Sequence, residues 1–109
     1  MLSLSSFEHV KNWLITSGLV ITDSKHANVG GVYSYYDQKL NQFSFLYPEI
    51  TGYFVSTMKF LFLHEENLTY KNLAISSSRW LVNIINKYGG IIQSISNEKT
   101  KRLAYSFDT

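Results

Sequence analysis

The sequence predicts an all-α chain of helical hairpins. Three stretches carry apolar residues at helical spacing, two glycine pairs punctuate them, and no alternation runs long enough to build a sheet. A long loop around the first glycine pair leaves room for a short β-hairpin. At 109 residues the chain is read as one domain, 1–109.

The first helix is expected from Ser6 to about Ser17. Ser5-Ser6-Phe7-Glu8 has the form of a capping box, Phe7, Val10, Trp13 and Leu14 share a face, and Gly18 supplies a stop. Between Leu19 and Leu46 the pattern changes: Gly30-Gly31 breaks the chain, Val32-Tyr33-Ser34-Tyr35 alternates loosely, and Asp37-Gln38-Lys39 reads as a turn. Periodicity leaves two readings there, a short β-hairpin or an ordered loop with aromatic anchors.

The second helix starts at Tyr47-Pro48-Glu49, because proline suits the first helical turn, where its missing N–H is not needed. Ile50, Tyr53, Phe54, Thr57, Met58 and Leu61 follow helical spacing, while Val55, Phe60 and Phe62 fall elsewhere around the axis. A helix apolar on nearly every face expects neighbours on every face. The third helix spans about Thr69 to Lys87, capped by Asn67 or Thr69. Leu73, Ser77, Trp80, Leu81, Ile84, Ile85 and Tyr88 form its inward stripe, and Gly89-Gly90 ends it. Ile91 to Thr109 reads as a loop with some extended character.

Composition excludes several classes. A formal charge of +2 and a single basic cluster (Lys99, Lys101, Arg102) do not make a nucleic-acid face. The chain has no cysteine, so disulfides and thiolate metal sites are out, and a reducing, cytoplasmic setting is expected. No signal peptide opens it, and Ile50 to Leu63, the longest apolar run, contains Lys59 and is too short to span a membrane. Neither a metal site nor a cofactor is expected. His64-Glu65-Glu66 reads as a solvated helix end, His26 as a loop residue without partners, and Ser76-Ser77-Ser78 lies mid-helix without a nucleophile elbow.

The halves of the chain echo each other. Trp13-Leu14 matches Trp80-Leu81, and the interval from Gly31 to Glu49 equals that from Gly90 to Asp108, with Thr51 and Thr109 close behind the acids. The expected unit is a helix, a Gly-Gly loop, an aromatic-acid-threonine turn and a strongly apolar helix. The chain holds one such unit and the first part of a second.

Gly30-Gly31-Val32-Tyr33-Ser34, Tyr47-Pro48-Glu49-Ile50-Thr51-Gly52-Tyr53, Trp80-Leu81, Gly89-Gly90 and Phe107-Asp108-Thr109 together resemble the α/α-toroid proteins. These include six-hairpin glycosidases, related polysaccharide lyases and sugar epimerases, and terpenoid-cyclase-like barrels. The resemblance covers most of residues 5–109. It implies an incomplete toroid, a fragment of a carbohydrate-active enzyme that is inactive alone, with a carbohydrate or glycoconjugate as partner. Self-association through exposed apolar helix surface is a further expectation. A terpenoid-cyclase or prenyltransferase type is an alternative, against which stands the missing Asp-rich diphosphate motif. A non-catalytic helical scaffold is another.

Within that resemblance Glu49 is the candidate catalytic residue, placed where the mouth of a toroid cavity falls, and Asp108 inherits the same role. An acid in a first helical turn is also favoured by the helix dipole alone, so Glu49 has a purely structural reading beside the functional one. Tyr33, Tyr35, Tyr47 and Tyr53, with Tyr36, are candidates for a sugar-binding rim, since aromatic faces stack on pyranose rings; the same side chains also suit anchoring the loop to the helices. Trp13 and Trp80 are both expected in the core.

Overall fold

A computed structural model describes residues 4–89, 91–92 and 104–105. Gly90, the Lys99-Lys101-Arg102 cluster and Phe107-Asp108-Thr109 lie outside the described residues, and with them the candidate Asp108 and the second half of the internal echo.

Three helices dominate: α1 (Leu4–Thr16), α2 (Pro48–Glu65) and α3 (Leu68–Tyr88). Between α1 and α2 lies a two-stranded antiparallel hairpin, β1 (Tyr36–Asp37) with β2 (Gln42–Phe43), in register Tyr36 to Phe43. After α3, β3 (Ile91–Ile92) pairs antiparallel with β4 (Ala104–Tyr105). The Asp37 turn forms as expected: Asp37 Oδ1 accepts from the amides of Lys39 and Leu40, and Asn41 closes the turn at φ 52.

The helix ends follow their local chemistry. Tyr47 is extended at the N-cap of α2 and Pro48 opens the first turn. Asn67 caps α3 by accepting from the Thr69 amide at 2.9 Å, and Gly89, left-handed at φ 71, closes it. Only Glu66 and Asn67 separate α2 from α3, and Glu66 turns the chain at φ 55, so the two helices fold back on each other and pack together. The first helix begins at Leu4, which puts Ser5 inside it rather than at a capping position.

The segment from Leu19 to Tyr47 is a wedge rather than a free loop. Backbone bonds tie Ile21 to Gly31, Tyr33 to Leu19, Ser34 to Phe45 and Tyr47 to Val32, making three short extended runs side by side. Alternation along those runs divides their side chains between two clusters. Val20 and Val32 join Phe54, Met58, Leu61 and Tyr70, while Ile21, Tyr33 and Leu46 join Trp80 and Ile84. Two polar arrangements and one close approach fix the wedge. Buried Thr51 accepts from the Val32 amide at 3.0 Å and donates to the Tyr47 carbonyl at 2.9 Å. Trp80 Nε1 donates to Asn28 Oδ1 at 3.0 Å. Gly30, at φ 93, lies so near α3 that a Cβ there would sit 2.3 Å from the Ser76 carbonyl oxygen.

The structure corrects the reading of α1. Phe7, Val10 and Trp13 face outward, and Trp13, expected in the core, is 48% exposed, against 2% for its counterpart Trp80. The inner row is instead Lys11 with the half-buried Leu14 and Ile15. Lys11 bridges Glu8 at 2.8 Å and reaches across to Glu65 on α2. Leu14 and Ile15 pack against the cluster around Phe54 and Met58, and Lys11 on the same side of the helix is tied to Glu65. The two glycine pairs also differ in setting: Gly30 passes close under α3, whereas Gly89 is a helix cap with open space where a side chain would stand.

The second helix buries one stripe, Thr51, Phe54, Met58 and Leu61, and leaves Tyr53, Phe60 and Leu63 exposed. On α3, Tyr70, Ser77, Trp80 and Ile84 are buried, Leu73, Leu81 and Tyr88 half-buried, and Ile85, expected inward, is exposed. No helix among the described residues is long and apolar enough to cross a membrane.

Candidate functional site

Pro48 starts a helix one residue before Glu49, so the carboxylate stands in the first turn of α2, at its positive end. Tyr53 follows four residues later, one turn along the same face. Its hydroxyl donates to Glu49 Oε1 at 2.9 Å, and the Tyr47 hydroxyl donates to Oε2 at 3.2 Å. Both phenols are pushed above their ordinary titration range, first by the hydrogen bond to Glu49 and then by its negative charge. Three of the residues singled out from the sequence therefore form one cluster.

The cluster stands at an apolar cleft of about 500 Å³ between α2 and α3. Pro48, Glu49, Gly52 and Tyr53 line it from α2, and Leu81, Ile84 and Ile85 from α3. Gly52 leaves its side bare, with nothing within 4 Å of where a Cβ would stand. Aromatic rings continue outward from Tyr47: Phe45 lies 5.9 Å from it, and Tyr35 meets Phe45 edge-on at 5.9 Å. Tyr35 is exposed and belongs to this outer line; Tyr36 packs edge-on against Phe43 and hydrogen-bonds Asn41.

Tyr33 is a correction. It is buried, stacks on Phe43 at 5.2 Å, and belongs to the cluster around Trp80 rather than to any rim. Alternation puts Val32 and Tyr33 into the two halves of the core, while Tyr35, two residues on from Tyr33, is exposed. His26 accepts from the Asn28 amide at 2.9 Å, and His64 folds back on the Phe60 carbonyl at 2.9 Å. Among the described residues no three His, Cys, Asp or Glu side chains converge as a metal site.

Chemically the arrangement suits recognition. Glu49 is exposed and already accepts two phenolic hydrogen bonds, while keeping lone pairs for a ligand hydroxyl. Glycosidic cleavage normally uses two carboxylates, and among the described residues Glu49 is the only acid lining this cleft. Sequence reasoning found the acid and the tyrosines but missed Gly52 and the α3 wall. The four-residue step from Glu49 to Tyr53 was the available signal for the pairing.

The chain matches no family model, no curated protein and no solved structure.

Proposed function

We propose that this chain is a helical-hairpin portion of a carbohydrate-active protein of α/α-toroid type, acting in the cytoplasm, and that its own contribution is to bind a neutral glycan. The observation that carries this reading is the Tyr47–Glu49–Tyr53 cluster beside the α2–α3 cleft: a carboxylate oriented by two phenols, with an exposed ring edge and an apolar wall. Sugar rings present the complementary pair of surfaces, hydroxyls for the acceptor and C–H faces for the aromatic and aliphatic side chains. Among the described residues the cleft is lined by a carboxylate and by no cation, which favours uncharged sugars over uronates and so disfavours a lyase type. The chain by itself is expected to be inactive, because one carboxylate supplies neither a second acid nor a second base.

Isothermal titration with neutral hexasaccharides of glucose, mannose and N-acetylglucosamine tests the reading. Saturable binding is expected for at least one, weakened about tenfold by Tyr53→Ala or Glu49→Gln, equivalent to about 1.4 kcal/mol. If none of these sugars binds, or if binding is indifferent to both substitutions, the proposal fails. Capture of an isoprenoid diphosphate with magnesium in the same cleft would favour the terpenoid alternative instead.

A further inference from the structure

A second groove runs between α2 and α3 and shares no residue with the cleft at Glu49. Its volume is about 640 Å³, and Val55, Phe62, Ile75 and Val82 give it an apolar floor and walls. Three cations stand along it: Lys59 on α2, Lys71 and Arg79 on α3, all exposed. Among the described residues no carboxylate lines the groove, and Lys11 is the only cation that forms an ion pair. Lys71 lies over the Phe62 ring at 5.8 Å, which leaves its charge unneutralised.

Geometry narrows what fits. Lys71 and Arg79 are spaced about 12 Å apart along α3, and the lining from Lys71 to Asn83 extends about 18 Å at the helical rise per residue. A single phosphate or carboxylate head group is too small to meet cations so widely spread. A membrane surface needs a convex apolar face, whereas this face is concave. A helix of three to four turns has the matching length, a ridge that enters a groove, and flanks on which acidic side chains stand beside the cations.

We propose that the groove formed by Val55, Phe62, Ile75 and Val82, with Lys59, Lys71 and Arg79 beside it, docks an amphipathic helix of a partner protein that carries carboxylates along its flanks. The apolar ridge of that helix supplies contact area, and the charge pattern sets partner choice and register.

The test uses a synthetic helical peptide of about 16 residues with leucines on one face and glutamates on its flanks, titrated against the full chain by fluorescence anisotropy. Saturable binding is expected, weakening with added salt and at least about tenfold weaker for the doubly substituted Lys59→Glu, Arg79→Glu chain. The same peptide with lysine for glutamate should prefer that reversed chain. Circular dichroism establishes that the variant is folded, and Lys59→Gln with Arg79→Gln, which removes charge without adding any, should give an intermediate loss. Absence of saturable peptide binding overturns the proposal, as does binding unchanged by charge reversal. Two results would assign the groove elsewhere and so also overturn it: concentration-dependent dimerisation abolished by the reversal, or flotation with phosphatidylserine vesicles in place of peptide binding. Either way the glycan reading is untouched, since Tyr53→Ala and Glu49→Gln alter the other cleft.

Discussion

Glu49 shows how much one side chain can organise. It accepts from Tyr47 and Tyr53 at once, and the two phenols are held protonated by the bond and by the charge behind it. A raised tyrosine value means that this interaction is fully present below the ordinary tyrosine value of 10.0 and is lost as pH climbs through the raised one. Ultraviolet titration should therefore show two tyrosines ionising late, and Glu49→Gln should bring them back toward the unperturbed class. An unchanged titration curve would mean that the cluster does not persist in solution. At Ser77 the logic runs the other way. Its hydroxyl is fully buried and has no hydrogen-bond partner among the described residues. Removing an unsatisfied buried hydroxyl relieves a desolvation cost, so Ser77→Ala should raise stability by about 1 kcal/mol in urea unfolding. A loss of stability would point to a hydrogen bond made by that hydroxyl.

At the scale of elements, the close approach of the wedge to α3 rests on Gly30. A side chain there would meet the Ser76 carbonyl while the backbone sits in the left-handed region, so Gly30→Ala should cost about 2 kcal/mol or more. Gly52, inside α2 and facing open space, makes the contrast: Gly52→Ala should stabilise by about 0.5–1 kcal/mol. Thermal melts of the two variants moving in the same direction would contradict this placement. The helices were legible because their signals are local: Pro48 at the first turn, Asn67 and Gly89 at the ends of α3, and the Trp80–Ile84 spacing within it. The outward face of α1 was not, because amphipathic spacing identifies an apolar face without saying whether the core has room for it. The side that does turn inward carries Lys11, whose partner Glu65 lies far along the chain and so is invisible to local spacing. The wedge was legible only as a pair of alternatives, since Val32 and Tyr33 are both buried, on opposite sides, and a doubly buried run loses the polar alternation that marks a strand.

For the whole molecule, the apolar excess read in the sequence is distributed unevenly. The wedge and one stripe each of α2 and α3 close a core, while Tyr53, Phe60 and Leu63 on α2 and the stripe on α1 stay exposed. The candidate site was half visible beforehand: Tyr47, Glu49 and Tyr53 fall within seven consecutive residues, but Leu81, Ile84 and Ile85 reach the cleft only through the sharp reversal at Glu66 and Asn67. On the proposed reading, this reversal builds a sugar-binding cleft beside the Tyr–Glu–Tyr cluster. Amide chemical-shift mapping of the labelled chain during titration with the neutral hexasaccharides examines it most directly. Saturable shifts are expected, confined to residues 47–56 and 81–85, with the Lys71–Arg79 stretch silent. Shifts centred elsewhere on the chain, or none at any of these sugars' highest soluble concentration, would contradict it.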